Sequence, residues 1–194
     1  MSANAQLAAL LRMHNCEHAY LDVGTNIGVQ IRKLYQPHLY PDATIERLFS
    51  VMYGEAPRCT VCTVGLEPNP RHEARLVELE RRLVRAQAPV VILRAAAATE
   101  DGTLDFYLPA AFDNATSDWG ASLVKHKRTV GYTGAVRQLE VQVRVEAVDL
   151  ARVLTAVRRA LPPSGHMMMK LDVEGAEQAA SHRTAPPEPL RASR

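Results

Sequence analysis

A chain of 194 residues, 47% hydrophobic and 23% charged, is long enough for one domain with a real core and has the balance of an ordinary globular protein. Its Lys+Arg 23 against Asp+Glu 21 leave a formal charge of +2, too small a surplus to argue for a nucleic-acid partner on charge alone. No apolar run approaches the ~18 residues of a membrane-crossing helix, and the N-terminus lacks the basic lead and long apolar stretch of a signal peptide, so a cytoplasmic chain with no membrane partner is the default expectation.

Ala3–Met13 is rich in Ala and Leu and reads as a short amphipathic helix. His18–Val23 reads as a buried strand, with the carboxylate of Asp22 where it runs out. Gly24 and Gly28 then bracket a tight turn, and a helix follows to Tyr35, stopped near Pro37. A strand, a glycine-containing turn and a helix together make a nucleotide-binding βα unit. Gly24, with no Cβ, lets a ligand approach the backbone, and Asn26 tolerates positive φ. The first N–H groups of the helix face the turn without intrahelical partners. Asn26 stands where the dinucleotide fingerprint G-x-G-x-x-G has a glycine, so a purely structural β–turn–α corner is the other reading.

Pro37–Arg58 reads as an irregular insert holding a helix over Thr44–Tyr53. Thr60–Glu67 is β-branched and apolar and reads as the second strand, ending in Glu67 as the first ends in Asp22. In nucleotide-binding α/β folds an acidic residue there takes ribose hydroxyls, typically ~20 residues past the glycines; here the spacing is about twice that, which the insert explains if it loops out. Asn69 is placed to N-cap the next helix, Pro70 fits its first turn, and Leu76, Leu79, Leu83 and Val84 mark its apolar face. Cys59 and Cys62 form a C-x-x-C with no second pair to complete a zinc site; they read as two thiols at the start of a buried strand. His14 and His18 have the spacing of helix ligands but no accompanying carboxylate, so no metal site is expected.

Pro89–Leu93 opens a third strand that runs into Ala95–Ala98, and Thr103–Leu108 alternates like a half-buried strand after a turn at Glu100–Gly102. Trp119, in a polar loop, either walls a ligand pocket or covers the core, and Lys125–Arg128 reads as a solvated basic loop. Leu139–Val148 alternates as an antiparallel strand with one wet face, and Asp149 is placed to cap a helix over Leu150–Leu161. Met167–Val173 reads as another buried strand, followed by E-G-A-E. The Pro- and Arg-containing stretch from Ser181 is expected to be a disordered tail, leaving residues 1–180 as the domain.

The order L-D-V-G-T-N-I-G, G-L-E-P-N-P, K-L-D-V-E-G-A-E resembles the FkbM-type S-adenosylmethionine-dependent methyltransferases, over about Tyr20–Glu177. D-W-G-A-S-L is similar to the family's region between strands three and four. The resemblance implies an α/β, class I methyltransferase (Rossmann-like) fold: a doubly wound, mostly parallel sheet, with the strands around Phe106 and Val143 as an antiparallel insertion before strand four. It implies S-adenosylmethionine as cofactor, held by Asp22, Gly24, Asn26 and Gly28 at the turn and by Glu67 and Asn69 after strand two. Asp172 and Glu174 would lie beside the methyl group. Asp172 is the candidate base or acceptor-orienting carboxylate, unless it only bonds the turn at Gly175. The implied reaction is O-methylation of a hydroxyl on a sugar, glycan or small-molecule acceptor. Family members continue past E-G-A-E through a helix and further strands. The expectation is therefore a sheet incomplete in its C-terminal half, with strand four as an edge prone to self-association, and a poor catalyst. Two other readings stay open: a non-catalytic S-adenosylmethionine-binding or interaction protein, and an RNA methyltransferase.

Overall fold

The computed structural model describes residues 2–13, 15–109, 123 and 140–173. In chain order its elements are α1 (Ala3–Met13), β1 (His18–Val23), α2 (Val29–Tyr35), α3 (Ile45–Tyr53), β2 (Val61–Leu66), α4 (Glu73–Arg85), β3 (Val90–Leu93), β4 (Ala95–Ala98), β5 (Gly102–Pro109), β6 (Glu140–Asp149), α5 (Leu150–Ala160) and β7 (Met167–Leu171). Trp119, the Lys125–Arg128 loop and the expected disordered tail lie outside the described residues.

The first sheet has the order β3-β2-β1-β7, and every neighbouring pair in it is parallel. This is one half of the doubly wound, parallel sheet that the resemblance implies, with β7 as strand four. Helices cover both faces, so β2 is buried along its whole length and carries apolar residues without alternation. The two-residue side-chain period of β1 divides the core. Leu21 and Val23 pack toward Leu7 and Leu10 of α1 and Val153 and Val157 of α5. Tyr20 points the other way, onto Leu34, Phe49 and Tyr53. Beside it, Ile31 of α2 and Leu76, Leu79 and Leu83 of α4 pack on Val90 and Ile92. Val84, expected on that apolar face, is exposed instead. The insert does not simply loop out: α3 packs Phe49 edge-on against Tyr20, and the Tyr53 hydroxyl donates to the Ala19 carbonyl at 2.8 Å.

The chain leaves the first sheet at Arg94, which splits the single strand expected over 89–98 into β3 and β4. There the Arg94 guanidinium donates to the Ile92 carbonyl and pairs with Glu80 at 2.8 Å. β4 enters a second sheet of order β4-β6-β5, parallel to β6, while β5 and β6 run antiparallel with Phe106 opposite Val143. The apolar face expected on β6 is covered only toward its C-terminal end: Val145 is buried, Val143 half-buried and Val141 exposed. Asp149 caps α5 as expected, accepting from the Ala151 and Arg152 N–H groups at 2.9 and 3.3 Å. β7 was expected to be buried but is half-buried throughout, because among the described residues only β1 pairs with it. Among the described residues no helix is long and apolar enough to cross a membrane.

The cysteine reading needs correction. Cys62 is not a free thiol: it forms a disulfide with Cys16, ahead of β1, and Cys59 lies outside the strand, exposed and unbridged. Spacing along the chain hid the pair, because the parallel pairing of β1 and β2 is what brings residue 16 near residue 62. The bridge closes a loop over a sequence separation of 46. Reducing it is expected to cost about 2–4 kcal/mol by the loop-entropy argument, read as a lower melting temperature in reductant. An unchanged melting temperature would mean that packing alone holds α1 on the sheet.

Candidate functional site

Four loops meet over the carboxyl ends of β1, β2, β4 and β7. The turn after β1 is built from left-handed backbone: Gly24, Asn26 and Gly28 have φ of 77°, 53° and 82°. The Gly24 and Thr25 N–H groups both donate to the Leu66 carbonyl at 3.0 Å, and the Gly28 N–H donates to Thr25 at 2.9 Å. The Thr25 hydroxyl closes back on the Asp22 carbonyl at 2.6 Å. Asn26 tolerates its positive φ as expected of its short polar side chain.

Gly24 has a structural reason that the sequence did not show. A Cβ there would collide with the backbone carbonyl of Asp172, so the missing side chain makes room for the end of β7. Gly28 likewise makes room for the Leu79 side chain of α4. Gly24 still lines the cavity with its backbone, whereas Gly28 stands behind it.

Glu67, buried at the end of β2, joins two loops. Its Oε2 accepts from the Asn26 N–H at 2.6 Å and its Oε1 from the Asn69 N–H at 3.0 Å. The Asn69 side chain accepts from the Arg71 N–H at 3.0 Å, capping a 3-10 turn over Pro70–His72 that leads into α4. That turn brings in His72, which the sequence reading overlooked. It is 5% exposed, and its Nδ1 lies 3.7 Å from Glu67 Oε1 without making a hydrogen bond. The signal was its place one turn after Asn69, which is local, but nothing local says that the turn buries the ring.

Asp22 is wholly buried and lies one layer behind the cavity wall, not on it. Among the described residues neither of its carboxylate oxygens has a hydrogen-bond partner. Burial pushes its pKa up to about 6; the Lys170 ammonium opposes the rise, and Glu67 and Asp172 add to it. Lys170, which the β1–β7 register places directly beside Asp22, reaches three oxygens with one ammonium. Its Nζ donates to the Gly24 carbonyl at 2.9 Å and lies 3.1 Å from Asp172 Oδ2 and 3.4 Å from Asp22 Oδ1. Lys170 was quoted in the sequence motif but not singled out as a site residue. Asp172 is tied to β1 through its N–H, which donates to the Val23 carbonyl at 3.0 Å, and its side chain is 69% exposed. Glu174 lies outside the described residues.

These groups surround a cavity of about 520 Å³, within the range that holds a cofactor-sized ligand. Asn26, Lys33, Glu67, His72, Lys170 and Asp172 are among its polar lining residues, and Phe106 of the second sheet lines it too. A crevice outside the carboxyl ends of parallel strands, with acidic residues closing the first two, is the ligand position of an open α/β sheet. Together with the strand order, it defines a Rossmann-like methyltransferase fold. The methyltransferase FkbM domain matches residues 22–180, and the chain belongs to that family of methyltransferases. Searches of curated proteins and of solved structures gave no match.

Proposed function

We propose that this chain binds S-adenosylmethionine in the cavity and transfers its methyl group to a hydroxyl on a sugar, glycan or small-molecule acceptor. The observation that carries the reading is Glu67. Each of its carboxylate oxygens already accepts one backbone N–H, which fixes the group, and each keeps acceptor capacity for a further donor. Two such oxygens on one rigid carboxylate suit the vicinal hydroxyls of a ribose. The unpartnered Nδ1 of His72 lies beside them, and the apolar wall of Ile27, Leu66, Ala97 and Phe106 suits a flat base. Glu67 and Asp172 on the cavity wall and Asp22 just behind it are three carboxylates against the two ammonium groups of Lys33 and Lys170 that line the cavity, a balance that suits a cationic ligand.

When bound, the cofactor supplies a methyl carbon already activated by its sulfonium. The protein's task is then alignment, which can supply much of the acceleration. Asp172, exposed at the cavity and held at one oxygen by Lys170, would orient the acceptor hydroxyl and take its proton, a contribution of ~10²–10⁴-fold where a base is used.

Calorimetric titration with S-adenosylmethionine tests the binding half. Glu67→Gln is the sharper variant than Ala, because it keeps the side-chain size while turning an NH₂ toward one of the two backbone donors. It is expected to weaken binding by ~1.5–3 kcal/mol, or roughly 10- to 100-fold in Kd. A folded variant with the wild-type Kd would remove Glu67 from the site. Labelled-methyl transfer to a panel of hydroxyl acceptors tests the second half; binding without transfer to any of them would favour a non-catalytic binding protein.

A further inference from the structure

We infer that Lys170 is a positioning residue: its single ammonium staples the turn after β1 to the end of β7 and, through that staple, orients Asp172 at the acceptor side of the cavity. The inference rests on reading the cavity as the cofactor and acceptor site.

An ammonium has three N–H donors and no acceptor. Here three oxygens stand within reach of it: the Gly24 carbonyl, Asp172 Oδ2 and Asp22 Oδ1. With three oxygens of the protein gathered around its ammonium, Lys170 is not the group that binds a ligand carboxylate. Each of its contacts does something different. The bond to Gly24 fixes a carbonyl on a residue with left-handed backbone, the point where the turn leaves β1. The contact with Asp172 holds one carboxylate oxygen and leaves the other free on an exposed side chain. The contact with Asp22 anchors the ammonium from below.

Asp22 depends on that ammonium. Among the described residues the charged and titratable groups facing it are Glu67 at the end of β2, Asp172 past β7, Tyr20 on its own strand and Lys170, and of these Lys170 alone is a cation. Burial raises the pKa of Asp22 and Lys170 is what opposes the rise. A buried carboxylate with no hydrogen bond and no cation takes up a proton rather than stay ionised. Loss of Lys170 therefore favours a neutral Asp22, removes the ion pair at Asp172 Oδ2 and takes away the bond to the Gly24 carbonyl. A purely structural lysine would change stability alone; this one also sets a protonation state and an orientation.

The test uses Lys170→Met and Lys170→Arg in the full chain. The first readout needs no cofactor: carboxyl-carbon NMR of Asp22, assigned with Asp22→Asn, followed against pH. Lys170→Met is expected to raise the Asp22 midpoint by about one to three pH units, the usual influence of one close opposite charge, and Lys170→Arg to leave it near wild type. The second readout is methyl transfer, where Lys170→Met should shift the acidic limb of the pH profile upward and lower kcat more than it raises KM. An unmoved Asp22 midpoint in Lys170→Met overturns the inference. If wild type fails to bind S-adenosylmethionine while the midpoint still moves, the functional reading falls and the ion-pair network stands. If Lys170→Met does not fold, the double variant Asp22→Asn with Lys170→Met replaces it, since it leaves Asp22 uncharged. Recovery of the fold there supports the coupling, and a double variant as unfolded as the single one overturns it.

Discussion

Asp22→Asn is expected to make the protein more stable at neutral pH and a weaker binder of cofactor. The side chain is wholly buried and lacks hydrogen bonds at both oxygens. Its pKa is pushed from 3.8 up to about 6, first by burial. The folded chain thus holds the Asp22 proton more tightly than the unfolded chain does. Between the unfolded and folded values the folded state carries more protons, so this group's contribution to stability falls as pH rises. Below the unfolded value it costs nothing. Above the folded value the whole cost is present, on the order of 3 kcal/mol for a shift of this size. Asn removes that cost and keeps the shape, but it deprives Lys170 of one anion. The net gain is expected to be roughly 1–3 kcal/mol at neutral pH, or several degrees in melting temperature. Wild type should also gain stability as pH falls from neutral toward 5, and the variant should lose that slope. A melting series across this range decides it. A variant less stable than wild type at every pH would mean that the Lys170 contact outweighs the burial of the charge.

The cost is tied to a structural link: Asp22 lies beside the lysine that joins the turn after β1 to the end of β7. The acidic ends of β1 and β2 were visible in the sequence because a carboxylate closing an apolar run is a local pattern. The same holds for the caps: Asn69 and Asp149 each bond N–H groups two or three residues on, within reach of a short-range reading. What the sequence hid depends on pairing between distant strands. Lys170 acquires its role from the register that sets it beside Asp22, and Cys16 finds Cys62 only because β1 lies next to β2. The break at Arg94 was hidden too. The apolar string on either side of it reads as one strand until Glu80 on α4 captures the guanidinium. His72 was overlooked for the converse reason: it sits in a recognisable turn, but its neighbour Glu67 is supplied by the end of β2.

Gly24→Val is expected to cost the fold before it costs the ligand. Considered as a ligand-facing glycine, position 24 would tolerate a larger side chain structurally and lose only binding. The geometry reverses that order. The residue sits at φ 77°, where a β-branched side chain is strained by about 1–3 kcal/mol. The added Cβ is aimed at the carbonyl of Asp172, a backbone atom that no rotamer change can move aside. Relief requires β7 to slide from β1, which strains the bond from the Asp172 N–H to the Val23 carbonyl and the three contacts of Lys170. Overpacking of this kind adds a further ~1–3 kcal/mol, so the total is roughly 2–6 kcal/mol. Against the ~5–15 kcal/mol by which a domain is stable, that is a large fraction of the total. Thermal melting should show the loss directly, and amide exchange should locate it: protection is expected to fall first in Met167–Leu171 and then in His18–Val23. Gly24→Ala, which adds the same Cβ without the branches, should share most of the defect. Were Gly24→Val to melt like wild type while losing S-adenosylmethionine affinity, the glycine would be making room for the ligand after all.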